Sequence, residues 1–130
     1  MRKAKLIGAL AAVGLAACNQ HLSRAGGVPD EILTPVEMTE AQRAAVQDGV
    51  KKALKDPESA RFGVMRAGKD SKGVTQVCGT VNARNGFGGY AGFSAFIGVL
   101  AKSGYFGVGG LDPPNLSVVN EMCRRQGLDL

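Results

Sequence analysis

The chain has 130 residues, 16 of them Lys or Arg against 11 Asp or Glu, giving a net charge of +5. Its length allows one domain and not two. A single histidine, His21, and only 3 cysteines leave little material for a histidine-based catalytic centre or a metal cluster. The charge is unevenly placed. Arg2, Lys3 and Lys5 open the chain, and an apolar run from Leu6 to Ala17 then stops at Cys18. That run falls short of the roughly 20 apolar residues that cross a bilayer. A charged start, an apolar middle and small residues at the end have the layout of an export signal.

Leu15-Ala16-Ala17-Cys18 resembles the lipobox of bacterial lipoprotein signal peptides. The resemblance implies that the Cys18 thiol receives a diacylglycerol, that residues 1–17 are cut away, and that Cys18 heads the mature protein. An ordinary secretory signal with an accidental cysteine is the alternative. One acyl chain anchors only marginally, whereas two or three hold a domain on a membrane. Asn19, in place of the Asp that retains enterobacterial lipoproteins at the inner membrane, favours the outer membrane. Cleavage removes three basic residues and no acidic ones, so the net charge drops from +5 to about +2. A nucleic-acid partner loses its main support with them. The expected location is the cell envelope, facing the periplasm, with the membrane reached through the N-terminal lipid.

With one cysteine assigned to lipid, Cys78 and Cys123 remain as an even pair in a compartment that permits disulfides. Their bond would close a loop of about 45 residues and stabilise the fold by about 2–4 kcal/mol. Two buried thiols or a metal pair are the other readings, and a pair so spaced without a nearby histidine makes a poor zinc site.

Residues 19–38 hold Gly26-Gly27, Pro29 and Pro35 without a sustained period, which predicts a tether from the lipidated cysteine to a domain over 39–130. Thr39 and Gln42 fit a capping box that opens a helix with Val46, Val50 and Leu54 on its apolar stripe. Lys51, Lys52 and Lys55 are expected in its last turn, and Asp56-Pro57 ends it. Two strands follow, over Ser59–Gly68 and Val74–Ala83, joined by a turn at 69–73 as a hairpin. Ala60, Phe62, Val64 and Met65 are read as inward-facing in the first strand. Cys78 falls in mid-strand.

Residues 85–111, "NGFGGYAGFSAFIGVLAKSGYFGVGGL", carry one charge and repeated glycines beside aromatics. A membrane helix is disfavoured, since each glycine costs about 1 kcal/mol against alanine in a helix. A phosphate-binding loop lacks the Gly-Lys-Ser/Thr ending. The preferred reading is a loop at 84–89, a strand from Tyr90 to Leu100, a turn at 101–104 and a strand over 105–110. Asp112-Pro113-Pro114-Asn115 then turns the chain into a short helix. Leu116, Val119 and Cys123 are expected on its inner face, with Gly127 ending it. The remaining core candidates are Val77, Val81, Phe93, Phe96, Ile97, Leu100 and Met122.

"KDPESARF" and "VCGTVNARNGFGGYAGFSAFI" together resemble a group of short exported bacterial proteins. These share an Asp-Pro-x-Ser-Ala-x-Phe segment, here Asp56 to Phe62, and a Cys-Gly-x-Val-Asn-x-x-Asn-x-x-Gly-Gly-Tyr-x-Gly-Phe segment, here Cys78 to Phe93. The resemblance brings no catalytic residue with it.

Together these elements predict a small single α+β domain, an N-terminal and a short C-terminal helix packed on an antiparallel sheet of about four strands. Asn82, Arg84, Asn85 and Tyr90 form a candidate recognition patch for a glycan, a peptide or a partner protein. The plainer reading is a demanding turn followed by a tightly packed strand. An enzyme would have to work through carboxylates alone, Asp56, Glu58 or Asp70, all in turns where such residues are common. No cofactor is expected. The composite expectation is a lipid-anchored, non-catalytic envelope lipoprotein acting by binding or structure. A periplasmic inhibitor or immunity-type protein and a membrane-inserting element built on 86–111 are the alternatives.

Overall fold

A computed structural model describes residues 31–130. The expected signal at 1–17, Cys18 and His21 lie outside the described residues. The elements run β1 (Thr34–Val36), α1 (Glu40–Lys51), a 3₁₀ turn (Pro57–Ser59), β2 (Arg61–Lys69), β3 (Thr75–Asn82), β4 (Ser94–Leu100), β5 (Phe106–Leu111) and α2 (Val118–Arg125). The five strands form one antiparallel sheet in the order β1-β2-β3-β4-β5. The fold is the expected small α+β domain, with one strand more than about four.

The additional strand is β1. The predicted tether does not extend to Met38, because Thr34, Pro35 and Val36 pair with Lys69, Gly68 and Ala67, and Leu33 and Met38 are buried. Three residues are too few for a legible period, and Pro35 is tolerated because β1 is an edge strand.

Each helix covers a different face of the sheet. Because side chains alternate along a strand, Val77 and Val81 of β3 join Phe96 and Leu100 of β4 under Val46 and Val50 of α1. Cys78, Ala95 and Ile97 point the other way, beneath Val119 and Cys123 of α2. Burial on both faces is why β4 reads as a nearly continuous apolar run. Phe96 is the pivot of the α1 layer, edge-on to both Phe62 and Phe106. Gly79 makes room for it, since a Cβ there would strike the Phe96 ring.

The capping box forms as expected. Gln42 N donates to Thr39 Oγ1 at 3.2 Å, and Thr39 N donates to Gln42 Oε1 at 2.9 Å. Helix α1 closes earlier than expected, with Lys51 alone of the lysines in its last turn. Lys55 is therefore left beyond the helix. At α2, Ser117 makes no cap. Buried Asp112 replaces it, accepting from Val119 N at 3.0 Å and from Asn120 N at 3.3 Å. Gly127, at φ +82°, ends the helix as expected, with Gly127 N bonded to Arg124 O and Leu128 N to Cys123 O.

Cys78 and Cys123 form a disulfide, their Cα atoms 6.0 Å apart and both side chains fully buried. It ties α2 to the middle of β3.

Several core assignments are corrected. Val64 is 44% exposed because the β2–β3 register slips between Phe62 and Met65, so Met65 packs towards the core in its place. Phe93 is 56% exposed because it precedes β4, which starts at Ser94 and not at Tyr90. Met122 and Leu116 are also exposed: Met122 lies on the outer side of α2, and Leu116 precedes its first turn. Residues 86–111 make the expected loop, strand, turn and strand. No described helix is long and apolar enough to cross a membrane.

Candidate functional site

The strand registers define two ends of the sheet. One end holds the start of β1, the β2–β3 turn and the β4–β5 turn, where Thr34 faces Lys69 and Thr75 faces Leu100. The other end holds the start of β2, the β3–β4 loop and the exit from β5, where Arg61 faces Asn82 and Phe96 faces Leu111. The candidate recognition residues all lie at this second end.

There the two motif segments meet. Tyr90 Oη donates to Ser59 O at 2.9 Å, Arg84 N donates to Ser59 Oγ at 2.8 Å, and Ser59 Oγ donates to Asp56 O at 2.8 Å. Ser59 is buried. The Arg61 guanidinium lies 4.4 Å from the centre of the Tyr90 ring and that of Arg84 lies 5.9 Å away. Arg84 Nε also stands 3.9 Å from Asp56 Oδ2, a half-exposed pair of small energetic weight. The Asp-Pro-x-Ser segment and the Asn-x-x-Asn-x-x-Gly-Gly-Tyr segment are thus two halves of one structural joint.

The loop above that joint is internally ordered. Asn85 Oδ1 accepts from Phe87 N at 2.9 Å and from Gly89 N at 3.2 Å, and Asn85 N donates to Gly89 O at 2.9 Å. Gly88 and Gly92 have φ of +81° and +104°, which is why glycines stand there. Arg84 and Tyr90 pair as an isolated bridge at the loop's base. The result holds Phe87 at the tip with its side chain 101% exposed.

The structure therefore divides the candidate patch. Asn85 spends its Oδ1 on the loop's own backbone, and Tyr90 spends its hydroxyl on Ser59 O. Asn82 closes β3 with its Oδ1 buried and without a hydrogen-bond partner among the described residues. Arg84 keeps a half-exposed side chain. Three nearby residues were not singled out from sequence: Arg61, Phe87 and Lys55. A phenylalanine between glycines was the available signal for Phe87. Nothing local marked Lys55, whose exposure depends on where α1 stops.

Beside the loop lies an open concavity of about 310 Å³ walled by Leu54, Lys55, Val81, Arg84, Leu111 and Pro113. It continues past Asn85, Phe87 and Pro114. Its lining is mostly apolar, with Lys55 and Arg84 as its cations and the buried Asp112, which caps α2, as its one carboxylate. Asp56 and Glu58 sit at this end, but Asp70 is in the β2–β3 turn at the opposite one, so the three carboxylates do not converge. Among the described residues no three His, Cys, Asp or Glu side chains are grouped to hold a metal ion.

The class defined by these observations is a small disulfide-stapled α+β domain with an ordered, aromatic-tipped loop over an apolar cleft. Comparison with known proteins finds no matching family model, curated protein or solved structure.

Proposed function

We propose that the protein is an exported, lipid-anchored binding module of the cell envelope, attached through Cys18 and non-catalytic in its role. Its partner is a segment of another envelope protein that lays apolar side chains, flanked by acidic ones, along the cleft beneath Phe87. The observation that carries this reading is Phe87 itself, a large apolar side chain held wholly in water by a loop that Asn85 and Tyr90 keep in shape. Exposing an aromatic while ordering its backbone is unfavourable for a free domain and favours a partner that covers it. The mostly apolar lining with Lys55 and Arg84 favours a protein segment over a glycan, which would call for more hydrogen-bonding groups along the cleft.

The same geometry accommodates a periplasmic inhibitor or immunity-type role, because a rigid loop tipped by one aromatic can enter a pocket on an enzyme. The test is a photo-crosslinking residue in place of Phe87 in producing cells, with exposed Val118 on α2 as the control position. A discrete adduct with one envelope protein from position 87 alone supports the proposal and identifies the partner. Equal adducts from both positions, or none from either, contradict it.

A further inference from the structure

The end of the sheet opposite Phe87 carries a second recess, of about 430 Å³, between the β2–β3 and β4–β5 turns. Lys69, Lys72 and Lys102 line it, and no carboxylate does. Val74, Val99 and Tyr105 are exposed around it, at 38%, 45% and 64%. Two carboxylates stand at the same turn, held by its backbone N–H groups, so three lysines outnumber them by one. Glu31 Oε1 accepts from Ser71 N at 2.6 Å, and Asp70 Oδ1 accepts from Lys72 N and Val74 N at 2.9 and 2.8 Å. The recess therefore carries a modest positive excess beside exposed aliphatic and aromatic side chains.

We infer that this face seats the domain on an anionic phospholipid surface, the lysines meeting headgroup phosphates and the apolar side chains entering the interface. Two observations select that occupant. The first is charge complementarity, since lysines with neighbouring apolar groups suit a negatively charged interface. The second is where the chain enters. Thr34 pairs with Lys69, so the segment leading back to Cys18 joins the sheet at this end and not at the Phe87 end. Cys18 is about 13 residues before Glu31, a reach of at most about 45 Å, so a lipid on it brings the domain to the bilayer by this end of the chain, and the lysines then decide which end rests there. Strand β2 then runs away from the membrane and places Arg61 and the Phe87 loop about 25 Å further out. The inference rests on the lipid-anchor reading and adds an orientation to it: one end docks and the other recruits.

The test uses the mature full chain, purified from membranes and reconstituted into vesicles of phosphatidylcholine alone or mixed with phosphatidylglycerol. With Cys78 and Cys123 bonded and Cys18 acylated, Ser103→Cys or Phe87→Cys supplies one free thiol for a fluorophore. Quenching by headgroup-nitroxide lipid reports which end faces the bilayer. The expected result is stronger quenching at position 103 than at 87 on the anionic vesicles, a difference that shrinks with added salt and on neutral vesicles. Lys69→Gln, Lys72→Gln and Lys102→Gln together should lower the docked population on the order of 100-fold, about fivefold per lysine. Equal quenching at the two positions, or a difference untouched by the triple substitution, overturns the docking. A chain that floats with neither type of vesicle and carries no acyl mass overturns the anchor, and the docking with it.

Discussion

Tyr90 donates its hydroxyl hydrogen to the carbonyl of Ser59 at 2.9 Å, joining residues 31 positions apart, while Ser59 Oγ accepts the backbone N–H of Arg84. The base of the glycine loop is therefore bolted to the start of β2. Tyr90→Phe should cost about 1 kcal/mol, and Ser59→Ala about 1–3 kcal/mol because it leaves the Arg84 amide without its buried acceptor. Urea unfolding gives the totals. Hydrogen exchange should also speed up at Phe87 and Gly89 in both variants while β3 and β4 stay protected; uniform exchange across the sheet would mean that the joint does not hold the loop separately.

The disulfide closes a loop of 45 residues and clamps the short helix α2. Cys78→Ser with Cys123→Ser should lower stability by about 2–4 kcal/mol. Thermal unfolding with and without reductant provides the check: reductant should lower the Tm of the native protein and leave that of the double variant unchanged.

Gly49 lies inside α1, where alanine is normally better by about 1 kcal/mol. Here a Cβ would come within 2.6 Å of Phe106 O and 2.8 Å of Phe106 Cδ1, because α1 rests directly on β5. Gly49→Ala should thus destabilise by about 1–3 kcal/mol through overpacking. Asp48→Ala, on the exposed side of the helix, should change stability by no more than about 0.5 kcal/mol. Denaturant midpoints of the two variants separate packing from propensity.

Glu121 accepts from Arg124 at 2.8 and 2.9 Å and from Arg125 at 3.0 Å. The Arg124 hydrogen bonds first, and the Arg125 bond next, lower its carboxyl from 4.5 to about 2. A carboxyl lowered on folding contributes its stability above its unfolded pKa and loses it as protons are taken up. The contribution should be present above about pH 4.5 and fade as the pH falls towards 2. Measured by denaturant midpoint, the gap between the native protein and Glu121→Gln should narrow across that window and stay constant from pH 5 to 7.

Local signals carried much of the fold into view. Thr39 and Gln42 announce α1, Gly127 announces the end of α2, and the alternation about Cys78 places it in a strand that a helix-borne Cys123 can reach. The misreadings came where a distant partner decides the outcome. Thr34–Val36 is a strand only because β2 offers an edge. Val64 is turned outward by a bulge opposite Thr80, which no period reveals. At the candidate site, Asn82, Arg84, Asn85 and Tyr90 were legible as a cluster, yet two of them serve the loop's own architecture. Phe87, Arg61 and Lys55 gain their setting from the meeting of three elements far apart in the chain.

The central claim is that this stapled domain hangs from a membrane by lipid on Cys18. The most direct test is the intact, non-reduced mass of the protein taken from the membrane fraction. The expected mass lacks residues 1–17, carries acyl chains and is two hydrogens short, reporting cleavage, lipidation and the Cys78–Cys123 bond together. An unmodified full-length mass would contradict the anchor.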